Sequence, residues 1–306
     1  MPRVSVIVPI YNGTATIGRA LASVFAQTFT DYEVVVVNDG STDDTPAVLA
    51  GYGDRIHVVT QPNRGLPSAR NSGIRASSGE YVAFIDDDDE WMPEMLARCA
   101  AVLDQDPTCV LAYAGALRVD LAGRPMPNQE GETRGIDSPT MEQMLERPWN
   151  AVPSRVMVRR AVLERCGGFD ERCVTACEDI LFLLRARECG YFRGISELLV
   201  RKTTRPLYPK ALKREQACEL LVRLVRERYG ASASGFIREY RLERVKVMRH
   251  MARALMEEGR PRDARRCLAR VIYYQPASLK AYRRYLKTFL PARPPRPSSS
   301  TEDSNA

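Results

Sequence analysis

Tyr81-Val82-Ala83-Phe84-Ile85-Asp86-Asp87-Asp88-Asp89 joins an apolar run directly to four carboxylates. The run is short and rich in aromatic and β-branched residues, as a buried strand should be. Four adjacent aspartates repel one another unless a cation or hydrogen-bond donors compensate them. Hard carboxylate oxygens suit Mg²⁺ or Mn²⁺, which keep open positions for substrate phosphates. Such an ion can stabilise a departing diphosphate as a Lewis acid. In open α/β sheets ligands collect beyond the carboxyl ends of the strands, which is where this cluster falls.

Working outward, Val4 to Ile10, Glu33 to Val37 and Ile56 to Val59 read as three further buried strands. Helices are expected between them: Ala15 to Ala26 with Thr14 as N-cap, one opened by a capping box at Ser41-Thr42-Asp43-Asp44, and Ser68 to Ala76. Continuously apolar strands alternating with helices predict an α/β fold, with a parallel sheet covered on both faces. The loops at 9–13, 38–42 and 86–90 each follow a strand and should gather along one edge. Farther on, Trp91 to Leu103 reads as a helix, Val110 to Tyr113 and Ser154 to Val158 as strands, and 118–140 as a loop. Glu178 to Cys189 is again helical. From Lys210 the pattern is wholly helical, in segments 210–229, 236–258, 261–274 and 277–290, faintly like a single tetratricopeptide repeat. The tail from Pro291 is Pro/Arg-rich and then Ser-rich, a composition that predicts disorder. The expected division is a catalytic domain over 1–205, a basic helical extension over 206–290 and a disordered tail over 291–306.

Composition narrows the setting. No apolar run approaches the roughly 18 residues of a membrane span. The first residues lack the apolar length and cleavage site of a signal peptide, which predicts a cytoplasmic protein. Eight scattered cysteines without Cys-x-x-Cys or zinc-ligand spacing predict reduced, structural thiols. Residues 1–200 hold 19 Lys and Arg against 28 Asp and Glu, whereas 201–306 hold 26 against 10. A basic rear half attracts phosphates or anionic lipid. Lys280, Arg283, Arg284 and Lys287, with Tyr282, Tyr285, Phe289 and Leu290, predict an amphipathic basic helix. It would meet an anionic membrane at its inner face, or else pack its apolar side on the other helices. No nucleic-acid module is present, so no nucleic-acid partner is expected.

Three other stretches carry chemistry. In Asn38-Asp39-Gly40-Ser41-Thr42-Asp43, Gly40 permits a tight turn after the strand and Asp39 can accept a hydrogen bond from a base N–H, or simply form a turn and cap. In Pro9-Ile10-Tyr11-Asn12, Tyr11 can stack on a base or pack internally. Glu178-Asp179 opens a helix, where the dipole favours a carboxylate; a general base is the functional alternative, since an attacking hydroxyl must lose a proton.

Taken in order, these stretches resemble glycosyltransferase family 2, of the GT-A fold. Val4 to Asn12 is similar to the family's opening strand, and Ser23-Val24-Phe25-Ala26-Gln27-Thr28 to its helix end. Val37 to Asp43 resembles the nucleotide loop, with Asn38 where the family usually has Asp. Gln61 to Gly65 and Ala69 to Gly73 resemble a third block, Gly79 to Asp89 the DxD strand, and Gly167 to Glu171 with Glu178-Asp179 the acceptor side. The resemblance covers about residues 1–200. It implies an inverting, metal-dependent transfer from a nucleotide diphosphate sugar, most simply a UDP-sugar, to a glycan or lipid-linked acceptor in cell-surface polysaccharide synthesis. It implies that Pro9, Tyr11, Asn12 and Asp39 hold the nucleotide, that Arg70 meets the diphosphate and that Asp87 lies near the ribose. Asp86 and Asp88 would form the DxD pair, with Asp88 the direct Mg²⁺ or Mn²⁺ ligand. Asp179 would be the catalytic base, and Gly168, Phe169, Asp170 and Glu178 would line the acceptor side. Asp89 reads instead as a helix cap before Trp91.

Two departures shape this reading. The Gln-x-x-Arg-Trp motif of processive synthases is absent, which implies one sugar per encounter. Many relatives carry a His where this chain has Arg201-Lys202-Thr203-Thr204-Arg205, so Arg201 or Lys202 would neutralise the leaving group instead. The competing readings are a sugar nucleotidyltransferase, whose Gly-rich basic loop is missing, and a non-catalytic scaffold built on the helical region.

Overall fold

The computed structural model describes residues 1–120, 122–126, 138–146, 152–174, 177–204 and 210–289, with 210–217 described by their backbone alone. Its centre is one eight-stranded sheet. β1 (Val4–Ile10), β2 (Tyr32–Asn38), β3 (His57–Thr60) and β4 (Tyr81–Phe84) run parallel. β5 (Glu90–Trp91), β6 (Cys109–Val119), β7 (Val156–Arg159) and β8 (Tyr191–Thr203) complete the order β3-β2-β1-β4-β7-β6-β8-β5. β7 is antiparallel to both β4 and β6, β8 is parallel to β6, and β5 is antiparallel to β8. The result is a mixed, mostly parallel sheet, in line with the GT-A fold that the resemblance implies.

β1 is buried at all seven positions because helices cover both faces. Val4, Val6, Val8 and Ile10 share a core with Ile17, Leu21 and Val24 of α1 (Ile17–Phe25) and with Met95, Leu96 and Leu103 of α4 (Met95–Gln105). Burying each aliphatic side chain contributes roughly 1.5–3 kcal/mol. Behind the sheet, Val35 and Val37 pack with Ala69 of α3 (Leu66–Ala76). Gly73 lets α3 come close; a Cβ there would lie 2.4 Å from Ile7 Cγ2.

Several local expectations are corrected. β3 is the exposed sheet edge rather than a buried strand, and it starts at His57. Thr14 does not cap α1: Thr16 holds that position, and the Thr14 hydroxyl donates to Asp43 Oδ2 at 2.6 Å. Ser41 to Asp44 form no capping box. α2 (Thr45–Ala50) has Asp44 at its N-cap without a side-chain hydrogen bond, and Asp43 Oδ1 accepts from the Thr45 N–H at 3.1 Å. Trp91 opens no helix. Pro93 disfavours a helical Met92, so Glu90 and Trp91 pair with β8 and the helix waits until Met95. Asp89 therefore caps nothing; it is fully buried.

Three elements had no counterpart in the sequence reading: α5 (Met141–Glu146), α6 (Arg160–Cys166) and most of β8, which follows α7 (Glu178–Arg187). The expected loop over 118–140 begins inside β6, and Pro125 bridges back to Val119; its residues 121 and 127–137 lie outside the described ones. The helical region comprises α8 (Lys210–Tyr229), α9 (Ser234–Glu257), α10 (Pro261–Tyr274) and α11 (Leu279–Lys287), close to the expected segments. The chain forms two compact units, one spanning Met1–Glu239 and a second from Tyr240 on, with the boundary inside α9. In the second unit, Ala264, Cys267, Leu268 and Val271 bury one face of α10. Leu290 and the expected disordered tail lie outside the described residues. All eight cysteines are free thiols. No helix among the described residues is long and apolar enough to cross a membrane.

Candidate active site

The loops after β1, β2 and β4 meet, as the parallel strands require. Asn12 takes a left-handed turn (φ 53°). Its N–H donates to Ser41 Oγ at 3.0 Å, and its Oδ1 accepts from the Thr42 N–H at 2.8 Å. Thr16 Oγ1 donates to Asp87 Oδ2 at 2.8 Å, tying the acidic loop to the start of α1. A Cβ at Gly13 would fall 2.6 Å from the same oxygen, so only glycine fits beside it. Tyr11 stands 49% exposed at this edge, whereas Pro9 is buried within β1.

Asp39 is buried, and both of its oxygens are engaged. Oδ1 accepts from Gln61 Nε2 at 2.7 Å and the Arg64 N–H at 2.9 Å; Oδ2 accepts from the Gly65 N–H at 2.8 Å. It thereby shapes the 61–65 loop. Gln61 Oε1 accepts in turn from Ser72 Oγ at 2.6 Å, which anchors that loop to α3.

The four aspartates have four different surroundings. Asp87 faces α1. Asp86 and Asp88 are partly exposed. Asp89 is sealed inside, where its Oδ1 accepts from the Thr203 N–H at 2.9 Å and its Oδ2 from Lys202 Nζ at 2.8 Å. Lys202 Nζ also lies 3.0 Å from Asp86 Oδ2. The other Asp86 oxygen accepts from Arg70 Nη2 at 2.8 Å, and its N–H donates to Ser154 Oγ at 3.1 Å. Burial alone would raise the Asp86 pKa, but the charges of Lys202 and Arg70 outweigh it and hold the carboxyl well below its usual range. At Asp89 burial prevails and pushes the pKa up, Lys202 opposing it and Asp86 and Asp88 adding to it. One carboxylate oxygen from each of Asp86, Asp88 and Asp89 lies within a 4.8 Å span. That all-oxygen donor set fits a hard divalent ion, although Lys202 and Arg70 already engage the two Asp86 oxygens.

Arg70 is 1% exposed and links this cluster to the opposite wall. Its Nη1 donates to Glu178 Oε1 at 2.8 Å, and its guanidinium lies 5.2 Å above the Phe169 ring. Glu178 and Asp179 open α7. Asp179 Oδ1 accepts from the Ile180 N–H at 2.8 Å. Burial and then the neighbouring Glu178 charge raise the Asp179 pKa to about 6; the Asp86 charge adds to the rise and Arg70 opposes it. Asp179 thus stands in the field of the acidic loop, although 90 residues of sequence separate them.

On the expected acceptor side, Asn71 clasps the 168–171 loop. Its Oδ1 accepts from the Phe169 N–H at 2.9 Å, and its Nδ2 donates to Phe169 O at 2.8 Å and Glu171 Oε1 at 3.0 Å. Gly168 has φ 66°, and a Cβ there would lie 2.6 Å from Asn71 Oδ1. Phe169 is buried against Phe84 and Phe182, so it forms wall rather than surface. Asp170 pairs with Arg172 at 2.8 Å.

Sequence reasoning placed Gln61 and Asn71 in a family block but gave no role to them, to Ser154 or to Thr203, whose hydroxyl donates to the Asp88 carbonyl. Each acts on a partner distant in sequence, which single-sequence spacing does not reveal. It paired Arg201 with Lys202, and the structure separates them: Arg201 Nη2 donates to Gly123 O at 2.8 Å, while Lys202 enters the acidic cluster.

Known proteins are similar to this chain in sequence and in fold. EpsJ of Bacillus subtilis, itself an uncharacterised glycosyltransferase, is 30% identical over 205 residues, 64% of this chain and 60% of that protein. Uncharacterised glycosyltransferases of Rickettsia species are matched over only 18% to 38% of their length. Residues 1–349 of Staphylococcus aureus TarS superpose with a TM-score of 0.62 at 21% identity, covering 94% of this chain and 89% of that one. TarS has also been solved with UDP and with UDP-GlcNAc. The mannosyltransferase PcManGT of Pyrobaculum calidifontis, in complex with GDP-Man and Mn²⁺, gives 0.56 at 23% identity over 92% and 78% of the chains. These structural likenesses show the shared fold. The profile of Glycosyl transferase family 2 matches residues 5–167, more than half of the chain, and the chain belongs to that glycosyltransferase family.

Proposed function

We propose that this glycosyltransferase moves a sugar, with inversion, from a UDP-sugar to a hydroxyl of a glycan or lipid-linked acceptor in cell-surface polysaccharide synthesis, one sugar per encounter. The observation that carries this reading is the buried link from Asp86 through Arg70 to Glu178, which holds Asp179 across from the acidic loop. The acceptor hydroxyl gives its proton to the Asp179 carboxylate as its oxygen attacks the anomeric carbon. The bond from that carbon to the diphosphate oxygen breaks on the opposite face, which inverts the configuration. Tyr11 is exposed enough to stack on uracil; in this reading Pro9, Asn12 and Asp39 form the nucleotide edge and Asp87 serves the ribose. Complexes of TarS with UDP-GlcNAc and of PcManGT with Mn²⁺ support the donor class and the ion. Mg²⁺ or Mn²⁺ held by Asp88 and Asp86 would supply Lewis-acid stabilisation of the diphosphate. Gly168, Asp170 and Glu178 shape the acceptor side, with Phe169 behind them. The test is metal-dependent hydrolysis of a panel of nucleotide sugars. Hydrolysis of a UDP-sugar is expected, and Asp88→Asn is expected to lower it about 100-fold. Turnover that persists in the variant, or is absent with every sugar, would overturn the reading.

The second unit supports peripheral contact with an anionic membrane, at its cytoplasmic face. Residues 240–289 carry 14 Lys and Arg against 4 Asp and Glu. On α11 only Ala281 is buried, while Leu279, Tyr282, Leu286 and the following Phe289 form an exposed apolar stripe. Lys280, Arg284 and Lys287 lie along the other exposed flank. A helix so divided suits the headgroup boundary of a bilayer. A groove of about 330 Å³ lined by Arg249, Met256, Leu268, Arg284 and Lys287 offers both apolar and cationic contacts beside it. Sedimentation with phosphatidylglycerol vesicles is expected to carry the protein down, neutral phosphatidylcholine vesicles not. Leu286→Glu with Phe289→Glu should abolish that binding and leave donor hydrolysis unchanged; equal binding by the variant would refute membrane contact through α11.

A further inference from the structure

The acidic loop already has a cation of its own. Lys202 Nζ bridges Asp86 Oδ2 at 3.0 Å and Asp89 Oδ2 at 2.8 Å, and its side chain is only 24% exposed. β8 delivers it there. Thr203, the next residue, is locked to the same loop at two points, through Asp89 Oδ1 and the Asp88 carbonyl, so the Lys202 backbone has little freedom to withdraw. Asp86 and Asp89 are two of the three carboxylates that could hold a divalent ion.

A divalent ion approaching this loop meets carboxylates that are partly neutralised, with a positive charge between two of them. Like charges in a half-buried site repel strongly because solvent screens them poorly. A nucleotide diphosphate changes this balance. Its negative oxygens can accept from the Lys202 ammonium and ligate the ion at once. We propose that Lys202 is a built-in counter-charge that competes with the divalent ion for Asp86 and Asp89, so that the protein takes up the ion well only together with the donor's diphosphate. Lys202 is then a positioning residue of the donor site, and the inference rests on the metal-dependent donor reading above.

Titration calorimetry with Mn²⁺ alone, and again with UDP present, tests it on the full chain. Wild-type protein is expected to bind Mn²⁺ weakly alone and far more tightly with UDP. Lys202→Met should bind Mn²⁺ alone at least about tenfold more tightly, and UDP should then add much less. Lys202→Arg, which keeps the charge, should behave as wild type. Lys202→Gln guards against misfolding of the methionine variant; either neutral variant is read only when its thermal transition stays cooperative. Mn²⁺ affinity unchanged or weaker in a folded neutral variant overturns the role of Lys202 alone. Failure of wild-type protein to bind Mn²⁺ even with UDP overturns the metal reading together with it.

Discussion

Asp179→Asn is expected to lower the transfer rate by about 10²- to 10⁴-fold while raising stability at neutral pH. Asparagine can still accept the Ile180 N–H bond that orients the side chain, but it cannot take a proton from an acceptor hydroxyl. The two effects share one cause. Burial and the adjacent Glu178 raise the Asp179 pKa to about 6, close to the working pH that the proposed base role requires. Activity needs the ionised form, so kcat/KM should fall about tenfold per pH unit below about 6 and level off above it. Stability runs the other way. The folded pKa lies above the unfolded 3.8, so the folded state holds more protons between the two values. The stability this neutral group allows is complete below about 4, is lost as pH rises through 6, and stays lost at 7. Asparagine escapes that loss, on the order of 1–3 kcal/mol. Thermal melts of both proteins should therefore diverge at pH 7, with the variant higher, and converge near pH 4. A variant within threefold of wild-type rate would remove Asp179 from the base role.

The parts of the fold that were legible share one physical property. Val4 to Ile10, apart from Ser5, and Val34 to Val37 are apolar and buried because helices cover both faces of the sheet, and such runs admit few other readings. β8 was not legible. Arg193, Glu197, Arg201 and Lys202 interrupt its apolar positions, and it exists as a strand through its long pairing with β6. Trp91 misled because its large apolar side chain continues a helical pattern, although Pro93 argues for extended backbone before it. In the site, side-chain directions were not legible. Asp39 is engaged with the 61–65 loop, Phe169 is wall, and Arg70 is sunk between two carboxylates. The Lys202–Asp89 contact spans 113 residues and no local spacing encodes it.

Arg70→Met is expected to cost about 3–5 kcal/mol of folding stability, because it leaves two inward-facing carboxylates without their partner. Asp86 would retain Lys202, but Glu178 is 7% exposed and would lose the cation beside it. In a chain of this size such a loss corresponds to a drop in melting temperature of roughly 10 °C. Arg70→Lys should restore little of it. One ammonium cannot reach Asp86 and Glu178 at 2.8 Å in opposite directions, as the guanidinium fork does. The triple variant Arg70→Met, Asp86→Asn, Glu178→Gln should melt well above Arg70→Met, since removing a whole buried ionic group costs far less than breaking it. Its transfer activity should remain lost even so, because the fixed separation between the acidic loop and α7 would be gone. An Arg70→Met protein that melts within 2 °C of wild type would show that the link carries no load. The expected pattern, with stability recovered and activity not, would instead assign Arg70 the task of holding the donor loop and the proton acceptor in one geometry, a task that needs a buried fork rather than a charge.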